Sequence, residues 1–407
     1  MAEIAVLGYG TVGSGVVEVL KTNQNSIDKK AAQPIRVKYI FDIRDLTGSP
    51  IEHLHTKDIN KILNDNDITV VVEAIGGVEP AYEYVKKALL RGKSVCTSNK
   101  ELVAKHGAEL LSIARDKNIN FLFEASVGGG IPIIRPLNLS LTADEIYEIS
   151  GILNGTTNFI LTKMLKEDMD FDSCLKMAKE LGYAERDPSA DIEGWDSCRK
   201  LAILVSLAIS KQVDYENIHT EGISRLTVRD FAYAKKLNAA IKLLASAKII
   251  DNGVYAQVSP VIIPDSHPLS VVNDVYNAIY IKGNVIGDVM FYGRGAGKLP
   301  TASAVVADIV DAVKHLNKNI MHFWSSEKHQ ILEHTNLKSK NLVRLKDDLK
   351  EESSIIKIFG DVKIIKIYND ELAFISDDIT RTKLDEKLNS LLGGHEVKSI
   401  IRIEGGF

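Results

Sequence analysis

The hydrophobic positions of this chain follow two rhythms that change place along its length. Through the first hundred and thirty residues, short apolar and β-branched runs alternate with stretches whose apolar positions recur every three to four residues, the signatures of strands and helices in turn. Ile4 to Leu7, Ile35 to Phe41, Ile68 to Ala74, Ser94 to Thr97 and Phe121 to Phe123 read as strands. Pro80 with AYEYVKKALLRG reads as a helix carrying proline in its first turn and Gly92 just past its end. The strand before it, ITVVVEAI, is apolar at nearly every position, as expected of a central parallel strand covered on both faces. The alternation predicts a Rossmann-type, doubly wound α/β sheet.

From Gly151 to about Lys248 the pattern turns largely helical, and from Val254 to Tyr292 strand-like pieces such as YAQVSPVII and AIYIKG return. This predicts a second, α+β domain. TASAVVADIVDAVKHL, residues 301 to 316, is a strong helix able to pack back on the first domain. Residues 342–407 give strand NLVRL, helix LKEESSIIKIF, strands VKIIKIY and ELAFIS, helix TKLDEKLNSLL and strand VKSIIRI. That βαββαβ order is a small ferredoxin-like unit. The expected division is therefore 1–135 with about 300–320 as a dinucleotide-binding domain, 136–299 as a catalytic and dimerisation domain, and 342–407 as a regulatory or oligomerisation domain.

A length of 407 residues agrees with two or three domains at ~150 residues each. Fifty Lys and Arg against 54 Asp and Glu leave a net charge of −4. Such a balance provides no basic field for a phosphate backbone, so nucleic acid is not an expected partner. Cys96, Cys174 and Cys198 are too few and scattered for a disulfide framework or a metal knuckle, which fits a reducing cytoplasm. The opening MAEIAVLGYG lacks the basic start and long apolar region of a signal peptide. No stretch reaches ~18 uncharged apolar residues, so no membrane helix is expected.

Gly8-Tyr9-Gly10-Thr11-Val12-Gly13 follows a strand and opens a helix, the context that gives a G-x-G-x-x-G pattern its meaning. Its glycines permit a tight turn and let a pyrophosphate approach the free N–H groups of a helix N-terminus. After the second strand, Asp42 stands where a carboxylate accepts a hydrogen bond from the adenosine ribose, which favours NAD. Arg44, two residues on, would instead pair with a 2′-phosphate, and the 34 residues from Gly8 to Asp42 exceed the usual ~20. Both residues also read as solvated loop charges, so NAD and NADP stay open.

Two lysines stand apart from charged helix faces. Lys100, in Thr97-Ser98-Asn99-Lys100, follows a buried strand at the carboxyl edge of the sheet, where open α/β sheets hold their ligands. Lys200 closes an acidic run holding Glu185, Asp187, Asp191, Glu193 and Asp196. Asp196 and Lys200, four apart on one helix face, read equally as a surface ion pair. The helix continues as LAILVSLAI, however, so its start is expected to be buried with its charges facing a cleft. Buried carboxylates need a partner, and a substrate amine provides one. Lysine suits proton transfer because burial lowers its pKa readily. Glu124-Ala125-Ser126-Val127-Gly128-Gly129-Gly130-Ile131-Pro132 ends another strand with a carboxylate and a glycine-rich loop, read either as oxygen ligands for a hard monovalent cation or as a plain hinge.

With these residues assembled, the chain resembles the homoserine dehydrogenases over residues 2 to about 316. GYGTVG, EAIGGVEPA, SVCTSNKELVAKHG, FEASVGGGIPIIRPL, GILNGTTNFIL, LGYAERDPSADIEGWDSCRKL and YGRGAGKLPTASAVVADI stand in that family's order and at similar spacing. The resemblance implies NAD(P)-dependent interconversion of L-aspartate 4-semialdehyde and L-homoserine, on the route to threonine, methionine and isoleucine. It implies Lys200 as proton donor, Lys100 as a second catalytic lysine beside the nicotinamide, and Glu185, Asp191, Asp196 and Thr156 around the substrate. It places the cofactor on Gly8, Gly10, Thr11, Val12 and Gly13, on Thr97 and Ser98, and on Gly295 and Gly297. It also implies a sodium ion on Glu124 with the carbonyls of Val127, Gly129 and Ile131, and a homodimer or larger oligomer.

Cys96 and Ser98 stand where the family often has valine and alanine. The tail resembles an ACT domain, yet KDDLKEES replaces the Asp-x-Pro-Gly loop expected after its first strand, so threonine feedback is not implied. The rivals are a dehydrogenase for another small amino-acid aldehyde and a catalytically silent amino-acid sensor, and the intact lysines and carboxylates weigh against the sensor.

Overall fold

A computed structural model of the chain describes residues 1–321, 323–346, 352–392 and 396–405. Two compact units emerge, the first of residues 1–146, 199–216 and 281–329, the second of 147–198, 217–280 and 330–407.

The first unit holds the parallel sheet: β1 (Ala2–Leu7), β2 (Ile35–Phe41), β3 (His55–Thr56), β4 (Ile68–Glu73), β5 (Ser94–Thr97) and β6 (Phe121–Leu122), in the order β3-β2-β1-β4-β5-β6. The order reverses beside β1, so the chain leaves β1 and β4 on opposite sides of a crevice at their carboxyl ends, the point where such sheets bind ligands. Val70, Val71 and Val72 of β4 are fully buried, which explains the absence of alternation in that strand. Helix Ala81–Leu90 starts behind Pro80 and ends before Gly92 as its sequence signals require. Helix Lys298–Lys314 belongs to this unit, with Ala302, Val305, Val306, Ile309 and Ala312 buried.

Within the second unit the strands run Tyr276–Gly283, Ile146–Ile152, Ala239–Ile250, Gly253–Pro264, Val397–Ile403, Lys338–Lys346, Glu371–Ile375, Lys363–Ile365. Ala239–Ile250 corrects the largely helical reading of 151–248. It pairs with Gly253–Pro264 along twelve residues across a turn at Asp251-Asn252. Its first nine residues are all buried, so the strand shows a continuous apolar run that periodicity cannot tell from a buried helix. Helices Gly155–Glu167, Phe171–Glu180, Trp195–Ile209 and Val228–Lys236 match the expected helical content; the division between units falls inside the third, after Cys198.

The C-terminal elements follow the expected order, with Glu352–Phe359 and Arg381–Leu392 as helices and a two-residue strand, Ile379–Thr380, added. Val343, Leu345, Ile355, Phe359, Phe374, Leu384 and Leu388 form their core. Their four main strands make one continuous sheet with the rest of the unit, because Val261 and Ile262 pair in parallel with Arg402 and Ile403. Residues 347–351, most of the altered loop, lie outside the described residues.

Candidate active site

In the first unit β1 delivers Gly8 to Gly13 to the start of helix Thr11–Thr22. Gly8 has φ +92°, and a Cβ at Gly13 would lie 1.9 Å from the Gly8 carbonyl, so the turn has no room for a side chain there. The amides at this helix start form an anion-binding end beside the crevice.

Asp42 follows β2 and is turned inward. Its Oδ2 accepts from the Tyr9 amide at 2.8 Å and from Arg44 Nη2 at 2.7 Å, and its Oδ1 accepts from the Arg44 amide and Nε, each at 2.9 Å. Four donors occupy the roughly four acceptor positions of a carboxylate. The Arg44 guanidinium, aided by the two amides, holds the Asp42 carboxyl well below the ordinary carboxylate range despite its burial. Arg44 itself stays 57% exposed. Asp42 thus fixes the glycine loop to Arg44, and it is Arg44 that is presented outward.

At the ends of the next two strands lies a residue the sequence did not single out. Glu73, fully buried, accepts from the amides of Ile75 and Gly76 at 2.8 and 3.1 Å and from the Thr97 hydroxyl at 2.5 Å. Burial pushes its carboxyl above the usual range. Thr97 Oγ1 accepts from the Asn99 amide at 2.9 Å, and the Asn99 side chain both donates to the Gly77 carbonyl at 2.6 Å and caps helix Lys100–Asp116 at Leu102. Glu73 therefore ties the loops after β4 and β5 together, and Thr97 and Ser98 are held by that tie. Its one sequence signal was a carboxylate ending an otherwise apolar strand.

Lys100 is half-buried as the first residue of that helix, and Lys200 is 8% exposed on helix Trp195–Ile209. Their neighbours in sequence, Glu101 and Arg199, form an ion pair at 3.3 Å. Two lysine-bearing segments a hundred residues apart are thereby joined inside one unit.

Glu124 is 2% exposed and accepts from the amides of Ile133, Ile134 and Arg135 at 2.6, 2.9 and 2.8 Å. Asp308 accepts from the Glu124 amide at 2.9 Å and from Arg135 at 2.7 Å. Burial first, then Glu124, pushes the Asp308 carboxyl well up. Gly129, at φ +57°, lies so close to Gly295 that a Cβ would come within 2.2 Å of the Gly295 carbonyl. The predicted cation ligands and the predicted cofactor loop therefore touch. One carboxylate and three carbonyls are hard oxygen donors, right in kind for a monovalent cation. Three of the carboxylate's acceptor positions are already taken by amides, which leaves Glu124 one direction for such an ion.

In the second unit Asn154 is the organising residue, and it too went unnoticed in the sequence. Its Nδ2 donates to Asp191 at 2.7 Å and to Asp196 at 3.0 Å, while its Oδ1 accepts from the Thr157 amide at 2.9 Å as the cap of helix Gly155–Glu167. Asp196 is buried and Asp191 half-buried. Thr156, buried on the same first turn, donates its hydroxyl to the Tyr183 carbonyl at 2.6 Å. Asp191, Asp196 and Thr156 are brought together around one helix start. Glu185 is exposed, and among the described residues no hydrogen bond joins it to them. The signal that existed was an N-cap asparagine directly before LNGTTNFIL's helix.

A glycine turn feeding a helix at the switch point of a doubly wound sheet, with ordered loops at the neighbouring strand ends, defines a dinucleotide-binding oxidoreductase fold. The comparisons then give the family. Residues 8–124 match the family model for the homoserine dehydrogenase NAD-binding domain, and residues 132–310 match the model for homoserine dehydrogenase. A Bacillus subtilis homoserine dehydrogenase is 38% identical over 99% of this chain and 98% of its own. The crystal structure of a homoserine dehydrogenase from Thiobacillus denitrificans superposes with TM-score 0.91 at 35% identity, covering 99% and 98% of the two chains. A hyperthermophilic archaeal homoserine dehydrogenase in complex with NADPH gives TM-score 0.65 at 29% identity over 76% of this chain and 97% of that one. The chain belongs to the homoserine dehydrogenase family and is an NAD(P)-dependent oxidoreductase; the silent-sensor alternative finds no support.

Proposed function

We propose that Lys200 is the proton donor to the substrate oxygen in the reduction of L-aspartate 4-semialdehyde to L-homoserine, and its acceptor in reverse. The observation that carries this reading is a buried lysine whose segment is joined by Arg199–Glu101 to the start of the Lys100 helix. A nicotinamide held beside these residues would supply the hydride for the carbon that carries this oxygen. Lys100 would orient the polar groups beside that carbon from the strand-end network of Glu73, Thr97 and Asn99. Asp191 and Asp196, held as a pair by Asn154, would bind the substrate ammonium, with Thr156 lining the same place and Glu185 moving in on binding.

The dinucleotide would be held by the amides after Gly10, at Thr11, Val12 and Gly13, by Thr97 and Ser98, and by the turn at Gly295 and Gly297. Because Asp42 is filled by Tyr9 and Arg44, we infer that Arg44 meets a 2′-phosphate and that NADP is used at least as well as NAD. Arg44→Gln should lower kcat/KM for NADP by about 10- to 100-fold, the worth of a charge-assisted hydrogen bond, and leave NAD within threefold. Equal losses with both cofactors would return Arg44 to a purely structural place.

Glu124 with the carbonyls of Val127, Gly129 and Ile131 would hold a sodium ion that steadies the loop against Gly295. The three buried thiols fit a cytoplasmic enzyme, and a homodimer or larger assembly is read from the family resemblance, to be checked by sedimentation. Lys200→Met tests the central claim: kcat should fall ~10²- to 10⁴-fold with cofactor affinity nearly unchanged. Retention of more than a third of the original kcat would remove Lys200 from the role.

A further inference from the structure

His219 and His334 stack with ring centroids 3.6 Å apart and planes at 9° on the wall of a cavity of about 60 Å³ within the second unit. The cavity lies where strand Gly253–Pro264 meets the C-terminal fold. Gln257 and Ser259 reach it from the former, Asn341, Arg381 and Arg402 from the latter. None of these residues has a part in the reaction described above.

Gln257 and Ser259 are 7% and 6% exposed, and among the described residues neither side chain has a hydrogen-bond partner. Arg402 donates to Ser246 at 3.1 Å and lies 3.3 Å from Glu404, but its Nε is buried with no acceptor among the described residues. The Arg402 Nε–H calls for an acceptor, because buried polar groups are rarely left unpaired, and the Gln257 amide and Ser259 hydroxyl open on the same space. The field inside is positive. Burial, then His334, Arg381 and Arg402 push the His219 imidazole down to about 4, and burial with Arg381 lowers His334 as well. The acidic groups near it are Glu404, already beside Arg402, with Glu148 also acting on that guanidinium; Asp385, which accepts from Arg381 Nε at 2.9 Å and leaves the other Arg381 N–H groups for a ligand; Glu333 next to His334; and Glu221, which is exposed at the rim. Donors without acceptors in a positive field select an anion. At roughly 15 Å³ per water-sized group, the volume admits an ion of about four heavy atoms.

We propose that this chamber binds a small oxyanion, a carboxylate or a phosphate, between Arg381 and Arg402, and that the ion joins the C-terminal fold to the central sheet. Such an ion raises the pKa of the histidines beside it, so the complex takes up protons and binding tightens as pH falls from 7.5 toward 6. It also stabilises the folded chain by mass action.

The test uses the full chain with histidine ring nitrogens observed by NMR, titrated with inorganic phosphate and separately with acetate against chloride at constant ionic strength. The expected result is a saturable shift of His219 and His334 with at least one of the two anions, stronger at pH 6 than at pH 7.5, together with a melting temperature raised by a few degrees. Which anion gives it identifies the source. Arg381→Gln, at a partly exposed helix start, should weaken the response at least tenfold, and Ser259→Ala should weaken it several-fold. Histidine signals that follow chloride and the two oxyanions alike, or a response that survives Arg381→Gln unchanged, would overturn the proposal.

Discussion

Two charged clusters inside the second unit use carboxylates in opposite ways. Arg344 donates to Asp230 at 2.5 Å and to Glu371 at 2.7 Å, with side-chain exposures of 4%, 0% and 2%. Ser399 adds a hydrogen bond to Asp230 at 2.6 Å, and Asp230 closes a capping box with Thr227. A guanidinium there cancels charge and welds the C-terminal strands to helix Val228–Lys236. Asp191 and Asp196 are instead joined by the amide of Asn154, which orders two like charges and cancels neither. The first arrangement is a lock; the second, on the function proposed above, would receive the substrate ammonium. What distinguishes them is the group that joins the carboxylates, a cation in the first and a neutral amide in the second, together with the half-burial of Asp191.

The lock should break hardest. Arg344→Met leaves Asp230 buried without its guanidinium and Glu371 with Arg229 alone at 3.2 Å, a loss of about 3–5 kcal/mol of stability. Urea unfolding measures it, and kcat of the protein still folded should be unchanged. A stability loss below 1 kcal/mol, or a selective fall in kcat, would erase the distinction between lock and receptor.

The receptor should fail differently. Asn154→Ala is expected to raise the KM for homoserine about 10- to 100-fold, the equivalent of ~1.4–2.7 kcal/mol, and leave the KM for the cofactor within twofold. Part of the damage is a lost helix cap, worth ~1 kcal/mol of stability. Asn154→Ser separates the two, since serine can still cap Thr157 but lacks the amide that spans both carboxylates. If serine restores the KM as well as the stability, Asn154 is a cap and nothing more.

A third charged site sharpens the comparison from the other side. Lys242 is 1% exposed and faces the Val272 carbonyl, Asn273 at 3.2 Å and Asn158 at 3.3 Å, with no carboxylate in that set. Burial, with some repulsion from Lys166, pushes its ammonium down to about 7. The sign follows from proton counting: between pH 7 and about 10 the unfolded chain binds a proton that the folded chain does not. Stability should therefore rise with pH through that window, by at most ~1.4 kcal/mol per unit, and level off below 7 where both states are protonated. Lys242→Met should flatten the slope of urea midpoints between pH 7 and 9. Parallel slopes in the two proteins would show that Lys242 titrates as an ordinary lysine.

The glycine loop, strands β2 and β5 to the residue, and the helix between Pro80 and Gly92 were all legible in the chain. Each rests on information carried within a few residues: a turn that only glycine enters, a proline at a helix start, an apolar run matched to a buried strand. Ala239–Ile250 was not legible, because a strand buried on both faces has no rhythm and its twelve-residue partner decides its form. Asp42 could be placed at the end of β2 but not turned. Whether its carboxylate faces a ribose or binds Arg44 and Tyr9 depends on where a loop thirty-three residues upstream comes to rest. Asn154, Glu73 and the Arg344 lock share that dependence. A hydrogen bond or an ion pair is made by two groups, and the chain names each group where it stands but leaves their meeting to the fold.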